Sequence, residues 1–235
     1  MNMSLRHPGT VDRVAAGFHP PVEEYLKTIY ELCEEGVPVI RARLAERTGH
    51  SAPTVTETVR RLSTGGLVET SGRLIRLSER GNELAERVVR RHRLAERLLA
   101  DVIGLDWPKV HQEAGRWEHV ISDDVEASLV LLLGNPATCP HGNPIPGSGT
   151  PAEHARPLAE SAVGETVRLV RISETAECDI DTLLYLDAHG LRPGALAEVM
   201  ERGPDGTLSL EVSGDAFGIG PSMAAELFVA VDAPA

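Results

Sequence analysis

His92 and Glu96 stand four residues apart in the stretch RRHRLAER, a spacing that brings both side chains onto one face of a helix. His111 opens the next helical stretch, with Glu118 two turns further on and His119 beside it, so these three can converge as well. Imidazole plus carboxylate without thiolate is a donor set for Mn(II), Fe(II) or Zn(II), with coordination geometry deciding among them. The His92/Glu96 pair taken alone also reads as a solvated ion pair on a helix surface, and spacing leaves both readings open. No nucleophile elbow, phosphate-binding glycine loop or CxxC pair accompanies these residues, which removes the usual supports of an enzyme.

Elements able to hold such side chains must come from a chain of 235 residues and 25.3 kDa, long enough for one large domain or two to three small ones. Apolar residues make up 42% and charged residues 25%, a balance that supports an ordered core and excludes wholesale disorder. No apolar run approaches the roughly 20 residues of a membrane span, and MNMSLRHPGTVDR lacks the apolar core of a secretory signal. Three scattered cysteines make no disulfide framework, and the chain is placed in the cytoplasm. The total charge of −12 hides an asymmetry: residues 36–97 carry thirteen arginines against seven glutamates, a net of +6, which leaves −18 for the rest. A local basic field is what phosphate binding needs, although arginines on a solvated helix face would give the same count.

Residues 1–21 read as a flexible arm. From Val22 the apolar spacing (Val22, Tyr25, Leu26, Ile29, Leu32) predicts a helix that Gly36 and Pro38 stop. A short helix over 40–47 and the break Thr48-Gly49-His50 lead to a third helix over 51–63, with Ser51 as N-cap and Pro53 in its first turn. The alternation around Ser71-Gly72 predicts a hairpin. Helix, helix, turn, helix, hairpin is the order of a winged helix-turn-helix, against the alternative of an ordinary three-helix bundle with a hairpin. Val55, Val59 and Leu62 would face inward, leaving Ser51, Thr54, Thr56, Glu57, Arg60 and Arg61 for the major groove. One long amphipathic helix is expected over 78–103 and a second, or a close pair, over 107–133, with aliphatic surface to spare for a partner. Prolines crowd the following linker, and short strands over 165–172, 196–200, 208–212 and 227–231 predict a small β-barrel with a helical turn at 181–189.

The strings EEYLKTIYEL from Glu23, RARLAERTGHSAPTV from Arg41, RRHRLAERLLADVIGLD from Arg90, HQEAGRWEHVISDDVE from His111 and CPHGNPIPG from Cys139 resemble the diphtheria toxin repressor family, which includes iron- and manganese-dependent regulators. The likeness is nearly continuous over 22–147 and fainter beyond. It implies an α+β protein: a winged helix DNA-binding domain (22–85), an all-α dimerisation and metal-binding domain (86–135), a Pro-rich linker (136–160) and an SH3-like domain (161–235). It implies a homodimer that represses from palindromic operator DNA when a divalent metal binds, with no membrane and no small-molecule substrate.

Position by position, the resemblance puts an ancillary metal site on His92, Glu96, His111, Glu174 and Glu177, with Glu177 where iron regulators commonly have Gln. The primary site falls on Glu24, the Gly115 carbonyl, Glu118 and His119, giving two sites per chain for Mn(II) or Fe(II). Iron regulators carry Met at the position of Glu24 and Cys at that of Gly115, whereas manganese regulators usually have Asp and Glu. Loss of both sulfur donors favours the harder Mn(II) over Fe(II), even though Mn(II) ranks low in intrinsic affinity. Glu57 points the same way, since iron regulators tend to have Gln there. CPHG reads first as a linker turn with a buried thiol, although Cys139 and His141 also resemble a secondary metal position of some manganese regulators. On DNA, Arg41, Arg43, Arg61 and Arg73 are expected on phosphates and Ser51, Pro53, Thr54 and Glu57 at base edges or thymine methyls, with Thr56 exposed beside them. Two alternatives stand beside this reading: a metal-dependent hydrolase with Glu118 as base, and a constitutive DNA-binding protein with a decayed metal sensor.

Overall fold

The computed structural model describes residues 21–149 and 153–231. The expected arm therefore lies outside the described residues except for Pro21, as does Pro151 of the expected linker. The chain divides into two compact units, one through Ala85 and one from Glu86 onward. Among the described residues, no helix is long and apolar enough to cross a membrane.

The first unit runs α1 (Pro21–Glu34), α2 (Arg41–Thr48), α3 (Ala52–Thr64), β1 (Val68–Ser71), β2 (Leu74–Leu77) and the start of α4 (Glu79–Arg97). Tyr25, Leu26 and Ile29 of α1 pack with Leu44 of α2, Val55, Val59 and Leu62 of α3, and Ile75 of β2. Burial of each such aliphatic side chain stabilises the unit by about 1.5–3 kcal/mol. Gly49, in the left-handed region, ends α2, and Ser51 caps α3 by accepting from Thr54 N at 3.4 Å. The strands pair antiparallel across a two-residue turn whose first position is Gly72 at φ +60°. Ile75 N donates to Val39 O at 2.9 Å, which fastens this hairpin to the connection between α1 and α2.

In the second unit the rest of α4 does not continue as α-helix to residue 103. Leu98–Ile103 is a π-helical turn, closed by Leu105 N donating to Leu99 O and by Gly104 in the left-handed region. A 3-10 turn, Trp107–Lys109, leads into α5 (Val110–Trp117), then α6 (Asp123–Leu132), and Leu94, Leu99, Val110, Ala114, Leu129 and Ile145 form their shared core. The expected second helical stretch is thus the close pair.

The C-terminal part is a six-stranded antiparallel sheet in the order β3-β8-β4-β5-β6-β7, built from β3 (Arg156–Pro157), β4 (Thr166–Ile172), β5 (Leu196–Arg202), β6 (Leu208–Val212), β7 (Asp215–Ile219) and β8 (Leu227–Val231). Between strands lie α7 (Glu174–Glu177), α8 (Ile180–Ala188) and α9 (Pro221–Glu226). Its core takes Leu169, Ile172, Leu183, Val199, Leu210 and Leu227, with Trp107 packed into it from the 3-10 turn. The fold class is the expected α+β one.

Candidate metal centre and nucleic-acid interface

The inner face of α4 presents His92, Arg93 and Glu96, all buried, to His111 of α5 and to Glu174 and Glu177 of α7. Ser173 caps α7 by accepting from Ala176 N, and the three-residue spacing then turns both glutamates to one side. His111 Nδ1 lies 3.1 Å from His92 Nε2, 3.1 Å from Glu96 Oε1, 3.0 Å from Glu177 Oε2 and 3.9 Å from Glu174 Oε2. His92 Nε2 is 3.2 Å from Glu96 Oε1. The five residues expected at the ancillary site thus converge.

A fourth segment completes the pocket. Residues 138–144 form a tight loop bridged at Thr138 and Pro144, and Gly142 lies so close to β4 that a Cβ there would meet Val170 O at 2.0 Å. His141 O accepts from Ile172 N on the same strand. This seating buries Cys139 and His141 and brings His141 Nδ1 to 3.3 Å from both Glu96 Oε1 and Glu177 Oε2. Neither His141 nitrogen reaches hydrogen-bond alignment, and Glu96 Oε2 and Glu177 Oε2 are likewise buried without a hydrogen bond.

Sequence reasoning missed the residues that hold these groups in place. Arg93 donates to Pro144 O at 2.5 Å and lies 3.3 Å from Glu174 Oε1. Asn143 donates from Nδ2 to Ile172 O and to Glu177 Oε1. Trp107 packs on His141 with ring centroids 4.9 Å apart and donates Nε1–H to Pro140 O, while Cys178 Sγ sits 3.6 Å from His111 Nε2. The blocks RRHR and NPIP contain Arg93 and Asn143, but nothing in their spacing marks either as facing a carboxylate.

Charge in the pocket is strongly polarised. Burial alone would raise the Glu96 carboxyl, yet His92, His111 and His141 hold it well below the usual range. Burial opposes a charge on His111 and His141, and the surrounding carboxylates nevertheless pull both upward, with Cys178 also acting on His111. Glu177 is pushed up by burial and by Glu174, and the Cys139 thiol by burial and by Glu96 and Glu177. Donor separations of 3.0–3.3 Å are those of neighbouring ligands on a cation with bonds of about 2.0–2.2 Å. Together with the buried, unsatisfied imidazole and carboxylate atoms, they fit a divalent ion.

Of the residues expected at the primary site, Glu24 is exposed on α1 of the first unit. In the second unit Glu118 is buried just past α5, with His119 Nε2 3.3 Å from its Oε1. Glu118 Oε2 also lies 2.5 Å from His92 Nδ1, so one imidazole touches Glu118 on one side and Glu96 on the other. Gly115 falls in the last turn of α5, where a helix leaves carbonyls without an intrahelical partner, and a Cβ there would meet nothing within 4 Å.

The expected exposed positions of α3 and its cap, Ser51, Thr54, Thr56, Glu57, Arg60 and Arg61, are exposed, as is Pro53, and the expected inward Val55, Val59 and Leu62 are buried along with Thr58. Glu57 pairs with Arg60 at 2.7 Å, which holds its carboxyl below the ordinary range. Arg43 is exposed on α2 beside Glu46, Arg41 is half-buried at its start, and Arg73 stands at the tip of the hairpin.

Three family models match in succession: an iron dependent repressor N-terminal DNA binding domain over residues 18–74, an iron dependent repressor metal binding and dimerisation domain over 78–147, and a FeoA domain over 156–231. The iron-dependent repressor IdeR of Mycobacterium tuberculosis is 46% identical over 204 residues, 82% of this chain and 88% of that protein. The diphtheria toxin repressor of Corynebacterium diphtheriae is 45% identical over 202 residues, with the same coverage of 82% and 88%. Among solved structures, a manganese-dependent transcriptional repressor in complex with manganese superposes with a TM-score of 0.82 at 33% identity, covering 89% of this chain and 99% of that one.

Proposed function

The chain belongs to the iron-dependent repressor family, and on that premise we propose that it acts as a homodimer on palindromic operator DNA, gated by Mn(II) or Fe(II), to control manganese or iron homeostasis genes. It is a metal-dependent transcriptional repressor and not an enzyme. The observation that carries this reading is the convergence of His92, Glu96, His111, Glu174 and Glu177 in a buried pocket whose α4 and α5 residues lie in the stretch matched by the metal binding and dimerisation model.

We assign residues 22–85 to DNA binding, 86–135 to dimerisation and metal binding, 136–160 to the linker and 161–235 to the SH3-like domain, with action in the cytoplasm. Two metal sites per chain are proposed. The ancillary one uses the five residues above, and the primary one uses Glu24 with Glu118, His119 and the Gly115 carbonyl. When bound, the metal supplies the positive charge that lets these carboxylates share one centre. The primary donors are oxygen and nitrogen only, which favours Mn(II) over Fe(II). His92 holds Glu118 through Nδ1 and so positions a primary ligand from the ancillary pocket. Exposed Val102, Ile103, Leu131 and Leu132 offer the apolar surface for a second copy.

Arg41, Arg43, Arg61 and Arg73 neutralise phosphates, and Ser51, Pro53, Thr54, Thr56 and Glu57 meet the bases. Glu57 can accept a hydrogen bond from cytosine N4 but has none to donate. The test is fluorescence anisotropy of a DNA fragment selected from a random pool, titrated anaerobically with Mn(II) or Fe(II) for the wild type and Glu118→Gln. Metal-dependent binding by the wild type, stronger at equal free Mn(II) and absent in Glu118→Gln, is expected. Metal-dependent binding retained by Glu118→Gln would remove that residue from the primary site.

A further inference from the structure

Glu57 and Arg60 lie three residues apart on the exposed face of α3, with Val55, Val59 and Leu62 buried on the other side. Arg60 donates to both carboxylate oxygens of Glu57, from Nε to Oε2 at 3.0 Å and from Nη2 to Oε1 at 2.7 Å. The two side chains nonetheless stay 55% and 70% exposed. An exposed ion pair adds little to stability, so the fold gains almost nothing from this two-point clamp. Against DNA it matters more: a lone carboxylate would meet the field of the phosphates, and Arg60 cancels that charge.

The clamp also fixes which groups point outward. A guanidinium carries its N–H donors in one plane, and Glu57 takes the edge formed by Nε and Nη2. The other edge, Nη1 with the second N–H of Nη2, has the fork spacing that guanine O6 and N7 accept. Each Glu57 oxygen accepts one bond from Arg60 and keeps a lone pair for another donor. The same contact holds the Glu57 carboxyl below its ordinary range, so it stays an ionised acceptor. The pair therefore offers one acceptor followed by two donors in a plane. In the major groove a C·G pair presents the complement in that order, cytosine N4–H as donor and then guanine O6 and N7 as acceptors. In A·T the adenine donor stands between two acceptors, which this order does not match.

We propose that Arg60 determines DNA sequence specificity by reading one C·G pair jointly with Glu57, Arg60 donating to guanine O6 and N7 while Glu57 accepts from cytosine N4. The inference rests on the DNA-binding reading above and gives a base contact to an arginine that charge alone would place on a phosphate. It also distinguishes Arg60 from its neighbour Arg61, whose role is the phosphate.

The experiment uses the full-length protein with Mn(II) and a DNA fragment selected from a random pool. Each base pair of the fragment is replaced in turn, and anisotropy gives the affinities of the wild type, Arg60→Ala, Glu57→Ala and Glu57→Gln/Arg60→Ala. The wild type should prefer C·G at one position by about 5- to 150-fold. Arg60→Ala and Glu57→Ala should each reduce that ratio at the same base pair, and Arg60→Ala should leave the slope of log affinity against log salt unchanged. Glu57→Gln/Arg60→Ala should turn the preference at that position to A·T, because glutamine pairs with adenine N6 and N7. Three results would overturn the proposal: a base preference that survives Arg60→Ala, whether the affinity falls alike for all fragments or the salt slope drops by about 1; effects of the two alanine variants on different base pairs; or a Glu57→Gln/Arg60→Ala protein that still prefers C·G. Base preference is read in the bound state, so it is separable from metal gating. Gated binding with the preference intact in Arg60→Ala sinks the pair alone, and binding that ignores chelator while Arg60→Ala loses the preference sinks the gating alone.

Discussion

Arg93 is the residue whose replacement should separate metal-free from metal-loaded stability. Its side chain is fully buried, donates to Pro144 O at 2.5 Å and faces the buried Glu174 Oε1 at 3.3 Å. Without metal, this guanidinium is the buried partner of the Glu174 carboxylate, while His92, His111 and His141 hold Glu96. Removing one partner of a buried pair costs about 3–5 kcal/mol, because the other charge stays behind uncompensated. For a unit of this size 1 kcal/mol shifts the midpoint by about 2–4 °C, so Arg93→Met should lower the metal-free melting temperature by about 6–20 °C. With Mn(II) at a hundred times its dissociation constant, binding adds about 2.7 kcal/mol, and the cation also takes over part of the guanidinium's role. The gap between metal-free and metal-loaded melting temperatures should therefore be wider in Arg93→Met than in the wild type. Differential scanning calorimetry with chelator and with Mn(II) measures all four values. A metal-free loss under about 2 °C, or an equal gap in both proteins, would refute the assignment of Arg93 as the pocket's buried counter-charge.

Other consequences are as direct. Gly115→Glu meets open space and adds a hard donor to the primary set, so it should lower the free Mn(II) needed for half-maximal DNA binding, by about tenfold if the new contact contributes about 1.4 kcal/mol; an unchanged Mn(II) requirement would count against Gly115 as a primary position. Arg61→Ala should weaken binding to all DNA sequences and reduce the slope of log affinity against log salt by about 1, whereas Glu57→Ala should cost about 1–3 kcal/mol of discrimination at one base pair and leave that slope alone. Leu131, 83% exposed on α6, should give a monomer in light scattering when replaced by Asp, and a dimer surviving that change would place the interface elsewhere.

How much of this could be read from the amino acids alone follows from what each feature depends on. The third helix was readable because its determinants are local: a serine cap, a proline in the first turn, and Val55, Val59 and Leu62 at helical spacing. The end of α4 was not, since a π-helical turn at Leu98–Ile103 keeps much the same apolar pattern as an α-helix. β3 escaped because it is two residues long and one of them is proline, which the edge of the sheet tolerates. Strand β7 is DAFGI, short and with a glycine inside it, so alternation gives little signal. His92 and Glu96 declared themselves by their four-residue spacing. Cys139 and His141 sit in a proline-rich stretch that reads as linker, and only the long-range approach of Gly142 to Val170 buries them beside Glu96 and Glu177.

The central claim is that metal occupancy gates DNA binding. Anisotropy of the selected fragment with the wild-type protein, first with Mn(II) and then with excess chelator, tests it in one cuvette. Binding that appears with the metal and is lost on chelation is the predicted result. Binding of equal strength before metal and after chelator would contradict it and leave a constitutive DNA-binding protein.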